Sequence, residues 1–153
     1  MSIDPIVCTI NVKATPARAF EFFTQHMGDW WAKGSTIGKK PHVAFVFEPK
    51  RGGRWFERDA DGVETPWGKV MAFEPPRRLL LGMEVNSQFA PDPAILTEVE
   101  LTFTPAEGGG TKVRLEHRNL ERFGADAEKM RAGLNGGWAR HLGELAAYAE
   151  AQA

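Results

Sequence analysis

The stretch 126-DAEKMRAGLNGGWARHLGELAAYAE-150 decides the fold, because Met130, Leu134, Trp138, Leu142, Leu145 and Ala149 recur along it three or four residues apart. That spacing puts them on one face of an α-helix, about 37 Å long at ~1.5 Å per residue. Gly133, Gly136 and Gly137 sit in its first half. Each costs roughly 0.5–1 kcal/mol against alanine there, so together they predict a kink or a close approach of another backbone.

Working outward from this helix, the segments before it alternate with period two. In residues 6–13, IVCTINVK, Ile6, Cys8, Ile10 and Val12 share one side, the mark of a half-buried strand. Thr15 then supplies a helix N-cap and Pro16 a first helical residue, with Ala19, Phe20, Phe22 and Phe23 as the apolar stripe of a short helix. A second brief turn carries Met27, Trp30 and Trp31, after which Gly34, Gly38 and Pro41 break the pattern and read as loop. Six strands are predicted next, over 43–48, 53–59, 65–74, 78–86, 95–104 and 112–119. Asp61-Gly62, Pro75-Pro76 and Gly108-Gly109-Gly110 mark reversals between them, so sequence neighbours should pair antiparallel. Residues 89–93 read as a loop between strands.

Composition narrows the function. A chain of 153 residues suits one domain, 1–153, and can bury roughly 70% of the surface its unfolded form exposes. Nineteen basic residues balance twenty acidic ones and are scattered, so the positive field that nucleic acid requires is missing. The single Cys8 cannot form an internal disulfide. The first residues carry no basic stretch ahead of an apolar run, and no segment approaches the ~18 apolar residues of a membrane helix. A reducing cytoplasm is the expected setting, with no membrane association.

The order of elements, one strand, two short helices, six strands and a long helix, matches the helix-grip fold of START-like proteins. The residues add to this: Asp29-Trp30-Trp31, Glu48-Pro49, the run from Gly52-Gly53-Arg54-Trp55 to Phe56-Glu57-Arg58, Trp67-Gly68-Lys69-Val70, the run from Phe73-Glu74-Pro75-Pro76 to Arg77-Arg78-Leu79, and Leu115-Glu116-His117-Arg118. Over about residues 6–148 this pattern resembles the START-like (SRPBCC) superfamily, in the bacterial branch of the activator of heat-shock-protein-ninety ATPase homologue-like family. The resemblance implies an α+β fold: a seven-stranded curved antiparallel sheet, two short helices after strand one, and the long C-terminal helix packed across the sheet. It also implies a function drawn from ligand carriers, cyclases, hydrolases and co-chaperone modules, since function belongs to the site and not to the fold.

No catalytic residue is assigned from the sequence. Ser2, Ser35 and Ser87 lie outside any Gly-x-Ser-x-Gly elbow, and His26, His42, His117 and His141 lack metal-ligand spacing. No metal and no cofactor is expected. The glycine triplet joins two strands and so lacks the helix N-terminus that cradles a phosphate.

Two clues point to a cavity. His117 shares strand parity with Val113 and Leu115 and should face the helix-covered side, either as a hydrogen-bonded core histidine or as a ligand-contacting or proton-transferring one. His141 lies three residues beyond Trp138, as a half-exposed helix residue or as a flank of the same cavity. Trp30, Trp31, Trp55, Trp67 and Trp138 come from every wall of such a cavity, as core packing or as its lining.

In 54–58 either Trp55 with Glu57 or Phe56 with Arg54 can face inward. An inward Glu57 would need a partner and could anchor a ligand. Glu98, Glu100, Arg114 and Glu116 read as a solvated outer ladder.

The expected activity is binding of an apolar, aromatic or lipid-like small molecule, with a homodimer as a compatible assembly. A cyclase- or hydrolase-like enzyme using His117 or Glu57, and a stress-response or co-chaperone module, are the alternatives.

Overall fold

A computed structural model describes residues 3–32 and 34–153; Met1, Ser2 and Lys33 lie outside the described residues. The first strand, β1 (Ile6–Val12), buries Ile6 and Val12 at its ends and half-buries Cys8 and Ile10 between them. Thr15 caps α1 (Pro16–Gln25), its hydroxyl accepting from the Arg18 N–H at 3.3 Å, and Ala19, Phe20, Phe22 and Phe23 form the buried stripe. The short α2 (Met27–Trp30) comes immediately after.

Then come β2 (His42–Phe47), β3 (Arg54–Asp59), β4 (Glu64–Glu74), β5 (Arg78–Met83), β6 (Thr97–Pro105) and β7 (Thr111–Arg118). All pair antiparallel in one curved seven-stranded sheet of order β1-β7-β6-β5-β4-β3-β2, so the first strand closes beside the last. A seven-residue 3₁₀ segment, Leu120–Asp126, leads into α3 (Ala127–Ala151), which lies across the sheet. This is the α+β helix-grip architecture.

One strand falls clearly short of the sequence expectation. β5 stops at Met83 instead of running to residue 86, because Asn86 Oδ1 accepts from the N–H groups of Gln88 and Ala90 (2.9 and 3.1 Å). That side chain bends the chain into a turn, closed by a single bridge between Val85 and Pro91. Gly68 is required by close pairing of β4 and β5, since a Cβ there would collide with the carbonyl oxygen of Gly82.

The open register of β3 is resolved: Trp55 and Glu57 are buried on the helix side, at 0% and 1% exposure. Phe56 is also buried, but under the guanidinium groups of Arg54 and Arg58, which stand 4.5 and 5.5 Å from its ring.

The glycines of α3 do not act as expected. The helix is continuous from Ala127 to Ala151, and a methyl group at Gly133, Gly136 or Gly137 would meet no atom of the described residues within 4 Å. No backbone approaches them; Gly133 and Gly137 face open volume instead.

On the outer sheet face, Arg118 bridges Glu98, Glu100 and Glu116 at 2.8–3.3 Å, and Arg114 reaches Glu116 at 3.2 Å. No helix among the described residues is long and apolar enough to cross a membrane.

Candidate ligand-binding site

A cavity of about 350 Å³ opens between α3 and the ends of β4 and β5. Trp67 and Met83 form its sheet wall, Trp31 and the 34–37 loop a second wall, and Gly133, Leu134, Gly137, Trp138, Arg140 and His141 the helix wall. Phe89 stands at the margin, 41% exposed, with a left-handed φ of 56°. A bulky residue in that conformation is strained, and strain of this kind gathers at functional edges.

Trp31 is the hub of the aromatic lining. Its ring stacks on His141 at 3.7 Å and 13°, and meets Trp67 and Trp138 edge-on at 5.9 and 5.8 Å. Its indole N–H donates to the Ser35 carbonyl at 2.7 Å, which ties the hub to the 34–37 loop. Arg140 holds the same loop from the helix, donating to Ser35 Oγ at 2.7 Å.

Glu57 holds that loop from below. Its carboxylate accepts from the N–H groups of Ile37 (2.9 Å) and Gly38 (3.2 Å), from the Thr36 hydroxyl, and from Trp67 Nε1 (2.8 Å). A carboxylate buried this deeply is tolerable because four donors replace its water. Glu57 therefore sits one layer behind the cavity and fixes two of its walls.

His117 is also one layer back, fully buried behind Trp138. The Trp138 indole N–H can only donate, and it points at His117 Nδ1 at 3.0 Å, so Nδ1 is the unprotonated nitrogen. Nε2–H then donates to Thr97 Oγ1 at 2.8 Å. Burial pushes the His117 pKa down to about 3. This neutral histidine orients Trp138, with neither nitrogen left for a ligand.

His141 is placed differently. It lines the cavity, and its Nδ1 lies 2.9 Å from Glu144 Oε1, a carboxylate that can only accept, so Nδ1 carries the proton. Burial lowers its pKa, Glu144 opposes the shift, and the Arg140 charge adds to it.

Of the residues singled out in the sequence, Trp31, Trp67, Trp138 and His141 thus meet on the cavity wall. Trp30, Trp55, Glu57 and His117 do not. Trp30 donates to the Phe22 carbonyl at 2.9 Å, and Trp55 is stacked between Phe47 and Trp67 at 5.4 and 5.5 Å. Trp55 Nε1 is buried with no hydrogen-bond partner among the described residues.

Sequence reasoning passed over Arg140 and Glu144, and read Gly133 and Gly137 as a kink or a close backbone approach instead of a cavity wall. Yet 133, 137, 140, 141 and 144 form a second stripe at helical spacing beside the core stripe, and that offset was the available signal.

No group of three or more His, Cys, Asp or Glu side chains able to hold a metal comes together among the described residues. Among the described residues, the exposed large apolar side chains are Val7, Val43, Val63 and Phe89, and Trp30 is buried.

Residues 13–150 match the family described as Activator of Hsp90 ATPase homolog 1-like protein, and the chain belongs to that family. Among solved structures it is similar to an anthrahydroquino-gama-pyrone synthase, Txn09, at 32% identity over 95% of this chain and 96% of that one, with a TM-score of 0.67. It is similar to the self-sacrificing resistance protein CalC from Micromonospora echinospora at 26% identity, over 97% and 96% of the two chains, with a TM-score of 0.75. The Aha1 dimer from Colwellia psychrerythraea shares the fold at 19% identity, over 94% of each chain, with a TM-score of 0.65. No curated protein matches the chain significantly.

Proposed function

We propose that this family member binds a flat, largely apolar aromatic molecule in the cavity between α3 and the sheet. The observation that carries the reading is the wall itself: three indole rings and an imidazole around about 350 Å³, with two glycines leaving the helix flank bare. That volume falls at the lower end of the ~300–1,000 Å³ usual for ligand pockets, and apolar walls with few polar groups are their common chemistry. The edge-on indoles already touch one another, so an aromatic ligand would pack against the ring surfaces that border the open volume. The similarity to a synthase of an anthrahydroquino-gama-pyrone supports the aromatic character of the ligand.

The test uses 1-naphthol and 1,8-dihydroxyanthraquinone as probes, read by quenching of tryptophan fluorescence and by melting temperature. At a free probe concentration of 100 Kd, binding to the native state adds about 2.7 kcal/mol, a clear upward shift. Gly137→Leu should abolish both signals, because its side chain enters the open volume without meeting the rest of the fold. Equal quenching in that variant, or no response to either probe in the wild type, defeats the reading.

A further inference from the structure

His141 is held in two independent ways. Glu144 fixes Nδ1, and the face of Trp31 fixes the plane of the ring. Among the described residues Nε2 has no hydrogen-bond partner and is not sealed from solvent, although the side chain as a whole is about nine-tenths buried. His141 lines the cavity, and its Nε2 is a positioned nitrogen lone pair without a hydrogen-bond partner among the described residues.

We propose that His141 is a general base, its Nε2 removing a proton from an acidic C–H or O–H of an aromatic compound seated in the cavity, with Glu144 as its positioning residue. The proposal rests on the ligand-binding reading above. When Nε2 takes the proton, the electron pair of the broken C–H or O–H bond stays on the substrate, and the ring becomes an imidazolium. That cation forms against the Glu144 carboxylate and the Trp31 π-face, both of which stabilise it. Returning the proton to another atom of the same molecule or to water restores the base, so no oxidant, reductant or co-reactant is needed.

The surroundings agree with this role. Burial, aided by the charge of Arg140, keeps His141 unprotonated before reaction, and Arg140 itself donates to Ser35 on the opposite wall. The other elements packed around the ring present Trp31, Trp67, Trp138 and the 34–37 loop, none of them ionised groups. His117, behind Trp138, has both nitrogens engaged and cannot substitute.

The probe is 5-nitrobenzisoxazole, a flat aromatic whose ring opens when a base removes its C–H proton: the N–O bond breaks, leaving a nitrile and a coloured phenolate. Binding is followed separately by tryptophan quenching. The wild type should accelerate opening over buffer, with a rate that rises with pH through a single midpoint below that of free imidazole. His141→Gln should lose at least roughly 10²-fold, the low end of what a positioned base supplies.

Glu144→Gln, a change at a partly exposed site that leaves the fold intact, should slow the reaction and move the midpoint to lower pH, because the carboxylate that raises the His141 pKa is gone. A bound probe that opens no faster than in buffer, or equally fast in His141→Gln, overturns the base and leaves the cavity reading standing. A probe that does not bind overturns both. An unmoved midpoint in Glu144→Gln overturns the pairing with Glu144.

Discussion

Acid should destabilise this protein chiefly through His117. In the unfolded chain its imidazole titrates near the ordinary 6.5, whereas in the folded state burial holds it neutral down to about 3. Between those values the unfolded state binds one more proton than the native state, so stability falls as pH falls, by about 1.4 kcal/mol per pH unit. The contribution is fully present above pH 6.5, about 2 kcal/mol is lost by pH 5, and about 5 kcal/mol is gone near pH 3. Against a total stability of about 5–15 kcal/mol, that loss can unfold the chain.

The assay is urea unfolding at half-unit steps from pH 7.5 to 4, comparing the wild type with His117→Gln. Glutamine can accept from Trp138 and donate to Thr97 as the imidazole does, but it has no proton to gain. It should cost stability at pH 7.5 through lost ring packing while flattening the pH dependence by about 1.4 kcal/mol per unit below pH 6.5. His141, whose pKa is lowered too, acts in the same direction in both proteins and cancels from the difference. Parallel slopes in the two proteins would show that His117 is not held neutral.

Gly137→Ala should raise stability by about 0.5–1 kcal/mol in the same urea assay, since the added methyl group meets nothing and the helix gains its propensity. A measured loss would mean that the helix needs that glycine after all. Glu57→Ala should cost about 2–4 kcal/mol by stranding the N–H groups of Ile37, Gly38 and Trp67, and hydrogen exchange at Ile37 and Gly38 should speed up selectively. Unchanged exchange at those two amides refutes the idea that Glu57 fastens the loop.

Legibility in the sequence was a matter of range. Alternation in β1 and β7 and the stripe of α3 depend on residues a turn or a pleat apart, so those strands, the helix length and the inward side of His117 were all legible. β3 was not, because both of its faces carry one aromatic and two charged residues. Its register depends on partners that a local pattern does not show: the backbone amides of Ile37 and Gly38, about twenty positions away, come to Glu57. Phe56 takes the other face under two arginines that could equally have been solvated. The glycines of α3 were visible as an anomaly. Their meaning was not, because a cavity is volume left over between elements, and the same glycines would equally suit a close approach.

Two of the buried histidines, His117 and His141, show how far residue type falls short of role. Both are shielded from water and both are harder to protonate than a free imidazole. The difference lies in what each first nitrogen meets. A tryptophan N–H can only give a proton, so it forces the His117 proton onto Nε2, where Thr97 takes it up and the ring is spent on packing. A carboxylate can only receive, so it draws the His141 proton onto Nδ1 and leaves Nε2, on a ring that lines the cavity, as the unprotonated nitrogen. Which ring nitrogen holds the proton is thus set by the partner of the other nitrogen, and whether the free one can meet a ligand is set by which layer the ring occupies: His141 lines the cavity and His117 lies behind Trp138.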